Sequence, residues 1–152
     1  MELLKCIFEN KMKINYTHKH YVRVRYSETD KMGYCYYGNF ASFLEIGRVE
    51  SLRSLGISYK SLEEKGIMLP VSEFHIKYNS PAHYDDMLLI ETKISALRGV
   101  RIYFNYSIYN EDQFLLATAM TSLVFIDAIS KKPIAPPKEL LSIIQSYAIQ
   151  EQ

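Results

Sequence analysis

Tryptophan is absent from this 152-residue chain, and Cys6 and Cys35 are its only cysteines. They lie far apart, and neither belongs to a pair with zinc-ligand or redox spacing, which argues against zinc fingers, dithiol redox motifs and disulfide-stapled secreted scaffolds. A reducing cytoplasm is the expected setting. Charge of one sign is not in surplus: 18 Lys and Arg face 17 Asp and Glu, a formal net charge of +1. The basic residues are scattered, so the electrostatic footprint of a nucleic-acid binder is missing, while a small anionic ligand is still accommodated. No apolar run approaches the roughly 20 residues needed to cross a bilayer. The opening stretch from Met1 to Asn10 carries an acid at position two and no apolar core of signal-peptide length. No Gly-x-Ser-x-Gly elbow occurs, which disfavours a serine mechanism of the α/β-hydrolase type. The histidines His18, His20, His75 and His83 show no metal-ligand pairing, and His18 with His20 reads as a solvated strand edge. No metal and no cofactor are expected.

Apolar and aromatic residues nevertheless make up 48% of the chain, with tyrosine occurring thirteen times, a balance that supports one packed, strand-rich domain. Alternation at Val22, Val24 and Tyr26 predicts a first strand over Tyr21 to Tyr26. Phe40, Phe43, Leu44, Ile46, Val49, Leu52 and Leu55 recur at helical spacing, so a long helix is expected over Asn39 to Leu55, closed by Gly56. Its apolar side chains cover more than half the wheel, which fits a helix enveloped by a curved sheet. A short helix is expected over Tyr59 to Lys65 and a strand over Leu69 to Tyr78. Three long strands follow, over Met87 to Leu97, Val100 to Tyr109 and Phe114 to Ile126, with turn-like links suited to an antiparallel meander. A final helix runs from about Lys138 to Tyr147. The order gives an α+β fold, with a flexible tail expected over residues 1–17, one domain over 18–147 and a short tail over 148–152.

The stretch from Tyr26 to Phe40, Tyr-Ser-Glu-Thr-Asp-Lys-Met-Gly-Tyr-Cys-Tyr-Tyr-Gly-Asn-Phe, sets Asp30 in a polar loop that runs into the start of the long helix. A helix N-terminus offers unpaired N–H groups to a developing oxyanion, and a nearby carboxylate can activate water, which suggests acyl transfer. With Phe43-Leu44-Glu45-Ile46-Gly47-Arg48 in the helix and Lys77-Tyr78-Asn79-Ser80-Pro81-Ala82 followed by Asp85-Asp86 downstream, the chain resembles the hotdog-fold acyl-CoA thioesterases of the 4-hydroxybenzoyl-CoA thioesterase and YbgC type over roughly Tyr21 to Leu140. The resemblance implies a five-stranded antiparallel sheet wrapped around a long central helix. It also implies a homodimer formed by joining two sheets, commonly paired again into a homotetramer, and hydrolysis of coenzyme A thioesters at subunit interfaces.

On that resemblance Asp30 is the catalytic acid, as general base or nucleophile; the bland alternative is a turn-capping aspartate. Tyr37 stands where many YbgC-type members carry histidine, which leaves the backbone N–H groups of Tyr37 and Gly38 as the expected oxyanion donors. Asn39 is a candidate substrate contact, although an N-cap role suffices for it. Glu45 could orient water, or simply pair with Arg48 three residues on. Arg98, Arg101, Lys131 and Lys132 are candidates for the nucleotide and phosphates of coenzyme A, against the simpler reading of solvated turns. Cys35 has no neighbouring histidine to activate it and reads as a small loop residue. Two rivals stay open: a hotdog hydratase, whose Asp-x-x-x-x-His pattern is missing, and a non-catalytic module that senses acyl-CoA or docks an acyl carrier protein.

Overall fold

The computed structural model describes residues 11–150. Cys6, the opening stretch read for a leader, and residues 151–152 lie outside the described residues, as does most of the tail expected over 1–17.

Strand β1 spans Met12–Arg23, nine residues longer at its start than the alternation of valines predicts and three shorter at its end. Met12, Ile14, Tyr16, His18, His20 and Val22 form its inward row. Polar rings at three of those positions hid the period of two. The tail expectation is thereby corrected for Met12 to Thr17, which pair with β4, Met87–Arg98, from Met12 opposite Leu97 to Thr17 opposite Lys93. His18 and His20 also depart from a solvated edge: they lie on an edge strand but are half-buried, with rings stacked 6.4 Å apart. Burial first, then neighbouring His20, lowers the His18 pKa, and Glu50 of the long helix pulls the other way. At the other terminus, Ala148 bridges to Ile14 and the Ile149 N–H donates to Lys13 O at 2.9 Å, so this segment covers the free edge of β1.

Strand β2 is the short Ile67–Met68, paired with β7, Ile126–Asp127. Strand β3, Val71–Tyr78, starts just after Pro70, whose ring nitrogen cannot donate to a ladder. With β5, Arg101–Tyr109, and β6, Leu115–Val124, the main sheet has the order β1-β4-β5-β6-β3 with every neighbouring pair antiparallel. The alternation read in β5 holds: Ile102, Phe104, Tyr106 and Ile108 are buried.

Helix α1, Asn39–Ser54, buries Phe40, Phe43, Leu44, Gly47, Arg48, Ser51 and Leu52 against the sheet. It ends in a Schellman arrangement: Gly56, at φ +85°, donates to Arg53 O at 2.9 Å and Ile57 donates to Leu52 O at 3.0 Å. Helix α2, Tyr59–Glu64, is capped by Ser58, whose hydroxyl accepts from Ser61 N–H at 3.1 Å. Helix α3, Lys138–Gln145, lays Leu140, Leu141 and Ile144 on the core. A five-stranded antiparallel sheet around one long helix is the hotdog arrangement the resemblance implies. One sheet reaches only one side of α1, however, so Ile46 is exposed and Val49 half-buried within this chain.

Candidate active site

The loop after β1 is built before it presents any chemistry. A short 3₁₀ turn over Tyr26–Glu28 ends with Glu28 buried, its carboxylate accepting from the Arg25 N–H at 2.7 Å and from Arg25 Nε at 3.2 Å. Glu28 O in turn accepts from Tyr36 N–H at 2.8 Å and from Asn39 Nδ2 at 2.8 Å. Asn39 is therefore not the N-cap, a place taken by Gly38; its amide ties the loop to the first turn of α1, and it does not line the cleft described below. From the far side, Cys35 N–H donates to Ala82 O at 2.7 Å, and Tyr34 bridges to His83.

These ties hold Asp30 half-buried on the inside of a tight turn. Its Oδ1 accepts from Met32 N–H at 2.9 Å and from Tyr34 N–H at 3.3 Å, while Gly33, at φ +83°, closes the turn onto Asp30 O at 3.0 Å. Turn capping is thus real, but it uses one oxygen only. Among the described residues Oδ2 accepts nothing, and Asp30 faces a cleft of about 280 Å³ with Tyr37, Phe40, Tyr78, Asn79 and Ser80.

At the head of α1, Tyr37 O accepts from the Tyr78 hydroxyl at 3.0 Å, and the Tyr37 ring is 63% exposed between Tyr36 and Tyr78. Neither Tyr37 N–H nor Gly38 N–H has an acceptor among the described residues. Gly38 is right-handed at φ −64°, so glycine is not needed there for a left-handed backbone; a β-carbon would stand 2.8 Å from the Tyr36 ring. Cys35 lines the same cleft, where burial first, then Glu28, pushes its thiol up to about 11. That is the environment of an inert thiol.

Glu45 lies elsewhere. With Arg48, Val49, Tyr59, Glu63 and Leu69 it lines a second cleft of about 510 Å³ beside the start of β3. The expected Glu45–Arg48 ion pair is not formed. Arg48 instead donates from Nε to the Tyr59 hydroxyl at 2.9 Å and from Nη1 to the Tyr106 hydroxyl at 3.2 Å, and Tyr106 shares a 2.7 Å hydrogen bond with Thr121. Burial alone would lower the Arg48 pKa, but the two phenols more than offset it and the guanidinium stays charged. Burial raises the pKa of both phenols, against the pull of Arg48.

The basic candidates also gather at the start of β3. Arg101 Nη1 donates to Ser72 Oγ at 2.7 Å, Lys131 Nζ reaches Met68 Sδ at 3.6 Å, and Arg98 pairs with Arg101 across the β4–β5 turn next to them. Lys132 follows, its carbonyl accepting from Asp127 N–H at 2.9 Å. Within one chain these groups lie at one end of β3 and the Asp30 cleft at the other, about 25 Å away by strand rise. Asp30 and Tyr37, joined in the sequence reading by their spacing, line one cleft. The spacing missed Tyr78, Asn79 and Ser80 as cleft walls, although that segment carried part of the resemblance.

The sequence profile of the Thioesterase-like superfamily matches residues 24–144. The chain is 35% identical over 121 residues to the acyl-CoA thioester hydrolase YbgC of Escherichia coli, an alignment covering 80% of this chain and 90% of that one. A crystal structure of a DHNA-CoA thioesterase from Staphylococcus aureus superimposes with a TM-score of 0.76 at 33% identity, covering 78% of this chain and 80% of the other. A 1,4-dihydroxy-2-naphthoyl-CoA thioesterase from Synechocystis gives a TM-score of 0.79 at 27% identity, with coverage of 85% and 96%.

Proposed function

Because the chain belongs to the Thioesterase-like superfamily, we propose that it is an acyl-CoA thioesterase that releases a carboxylic acid and free coenzyme A at the Asp30 cleft. The observation that carries this reading is the division of labour within one carboxylate. Oδ1 is held by two backbone N–H groups, Oδ2 accepts from no described residue, and Asp30 lines the cleft at the head of α1. Oδ2 acts as the general base for a water that adds to the thioester carbon, or itself attacks that carbon to give a mixed anhydride that water then opens. In both routes the C–S bond breaks and coenzyme A leaves as the thiolate. The N–H groups of Tyr37 and Gly38, which have no acceptor among the described residues, would serve the developing oxyanion.

Assembly belongs to the same reading. Strand β3 is an edge of the sheet, with Val71, Phe74 and Tyr78 exposed along it. Antiparallel pairing of two β3 strands about their centre would place the Tyr78–Ser80 end of one copy against the Met68–Val71 end of the other. The Asp30 cleft of each copy then meets the Arg101 and Lys131 side chains and the Glu45 cleft of its partner, in a homodimer whose other faces are left for pairing into a homotetramer. Coenzyme A phosphates would find their cations there.

The deciding experiment is thiol release from a panel of acyl-CoAs, with the same acyl groups on acyl carrier protein in parallel. Asp30→Asn keeps an acceptor for Met32 and Tyr34 but cannot serve as base, so turnover should fall by about 10² to 10⁴ with the fold intact. Equal rates for the variant and the parent would remove Asp30 from the chemistry. Tight acyl-CoA binding without turnover would instead favour a sensing module.

A further inference from the structure

Arg48 is a buried charge with no directly paired carboxylate among the described residues. It is 7% exposed on the sheet-facing side of α1, and none of the ion pairs among the described residues includes it. Its partners are two neutral phenols, Tyr59 and Tyr106, and Nη2 makes no hydrogen bond to a described residue. Taking a cation out of water without a carboxylate bonded to it is costly. A charge kept under those terms is a candidate for use.

Arg48 lines the second cleft, whose other walls include the apolar residues Val49 and Leu69 and the acidic residues Glu45 and Glu63. Those two acids decide which ligand suits it. A free carboxylate in the cleft would share it with both acids and be repelled. A hydrocarbon would bury the guanidinium further and satisfy none of its donors. A neutral oxygen avoids both penalties, accepting from Arg48, and as a hydroxyl it could also donate to Glu45.

We propose that Arg48 is a specificity-determining residue that donates to a neutral oxygen, hydroxyl or keto, at the far end of the acyl group. The acyl group is the one whose thioester lies at Asp30 of the other copy. The proposal rests on the thioesterase reading and on the β3-to-β3 pairing above, which makes the two clefts neighbours across the interface.

The test uses full-length protein and matched pairs of substrates in which a terminal hydroxyl is exchanged for a methyl group. These are an ω-hydroxyacyl-CoA series against its methyl-ended isosteres, and 4-hydroxybenzoyl-CoA against 4-methylbenzoyl-CoA. The wild-type protein should prefer the hydroxyl member of at least one pair by tenfold or more in kcat/KM, because a site built to hydrogen-bond a substrate oxygen rejects the analogue lacking it. Arg48→Met should bring that ratio down toward one, and Arg48→Lys should retain part of it. A wild-type ratio near one for every pair, with the methyl members well hydrolysed, overturns the proposal and leaves the thioesterase reading standing. A ratio unchanged by Arg48→Met overturns it as well. No hydrolysis of any member by the wild type overturns both. Should Arg48→Met fail to fold, the wild-type ratios and Arg48→Lys decide the matter.

Discussion

Gly47 of helix α1 sits directly over Thr92 of strand β4: a β-carbon at Gly47 would stand 2.5 Å from the Thr92 hydroxyl and 2.7 Å from an Ile90 methyl. Both neighbours are fully buried and branched at Cβ, so neither can swing aside. Gly47→Ala should therefore cost roughly 1–3 kcal/mol of overpacking, offset in part by the gain of about 1 kcal/mol in helix propensity. Urea unfolding of the variant measures the balance; a variant more stable than the parent would mean that α1 rides higher over the sheet than described.

The edge of β3 should carry the assembly. Phe74 is an exposed aromatic on that strand, and Phe74→Lys places a charge where strand pairing requires close approach, a device by which natural edges resist association. Sedimentation should show a shift toward monomer, with turnover per chain falling in step and recovering at high protein concentration. A variant that is fully monomeric and fully active would separate the chemistry from the interface.

Cys35 should be inert in the folded protein. With its thiol pushed up to about 11, roughly one molecule in a thousand is thiolate at pH 8. Alkylation by iodoacetamide, followed by peptide mapping, should label Cys35 only after denaturation, and Cys35→Ala should leave thiol release near the parent rate. Rapid native labelling would contradict the burial of this side chain.

Alkaline stability should report the Arg48 network. Tyr59 and Tyr106 are phenols whose folded pKa values are raised by burial, so the unfolded chain loses their protons first as pH rises. The stability they contribute is fully present below the unfolded value of about 10 and is lost as pH climbs from there through the raised folded values. Each contributes a slope of up to about 1.4 kcal/mol per pH unit within that window. Denaturant melts between pH 9 and 11 should be shallower in pH for Tyr106→Phe than for the parent. That variant should also be less stable at pH 7, by about 1–3 kcal/mol, because Thr121 and Arg48 Nη1 each lose a buried partner.

What the chain determines on its own is whatever depends on neighbours in sequence. The period of two over Ile102 to Ile108, the helical recurrence from Phe40 to Leu52 closed by Gly56, and the offset between Asp30 and Tyr37 are local patterns, and all reappear in the fold. Where inward positions carry polar rings, as at Tyr16, His18 and His20, the local pattern fails and hides most of β1. Tertiary structure decided the rest, because side-chain partners are chosen across the sheet and not along the chain. It turned Arg48 away from Glu45 and toward Tyr59 and Tyr106, and it gave the Asn39 amide to the Glu28 carbonyl. It also set Arg101 and Lys131 at the opposite end of β3 from Asp30, a separation that strand order imposes and that no spacing in the sequence encodes.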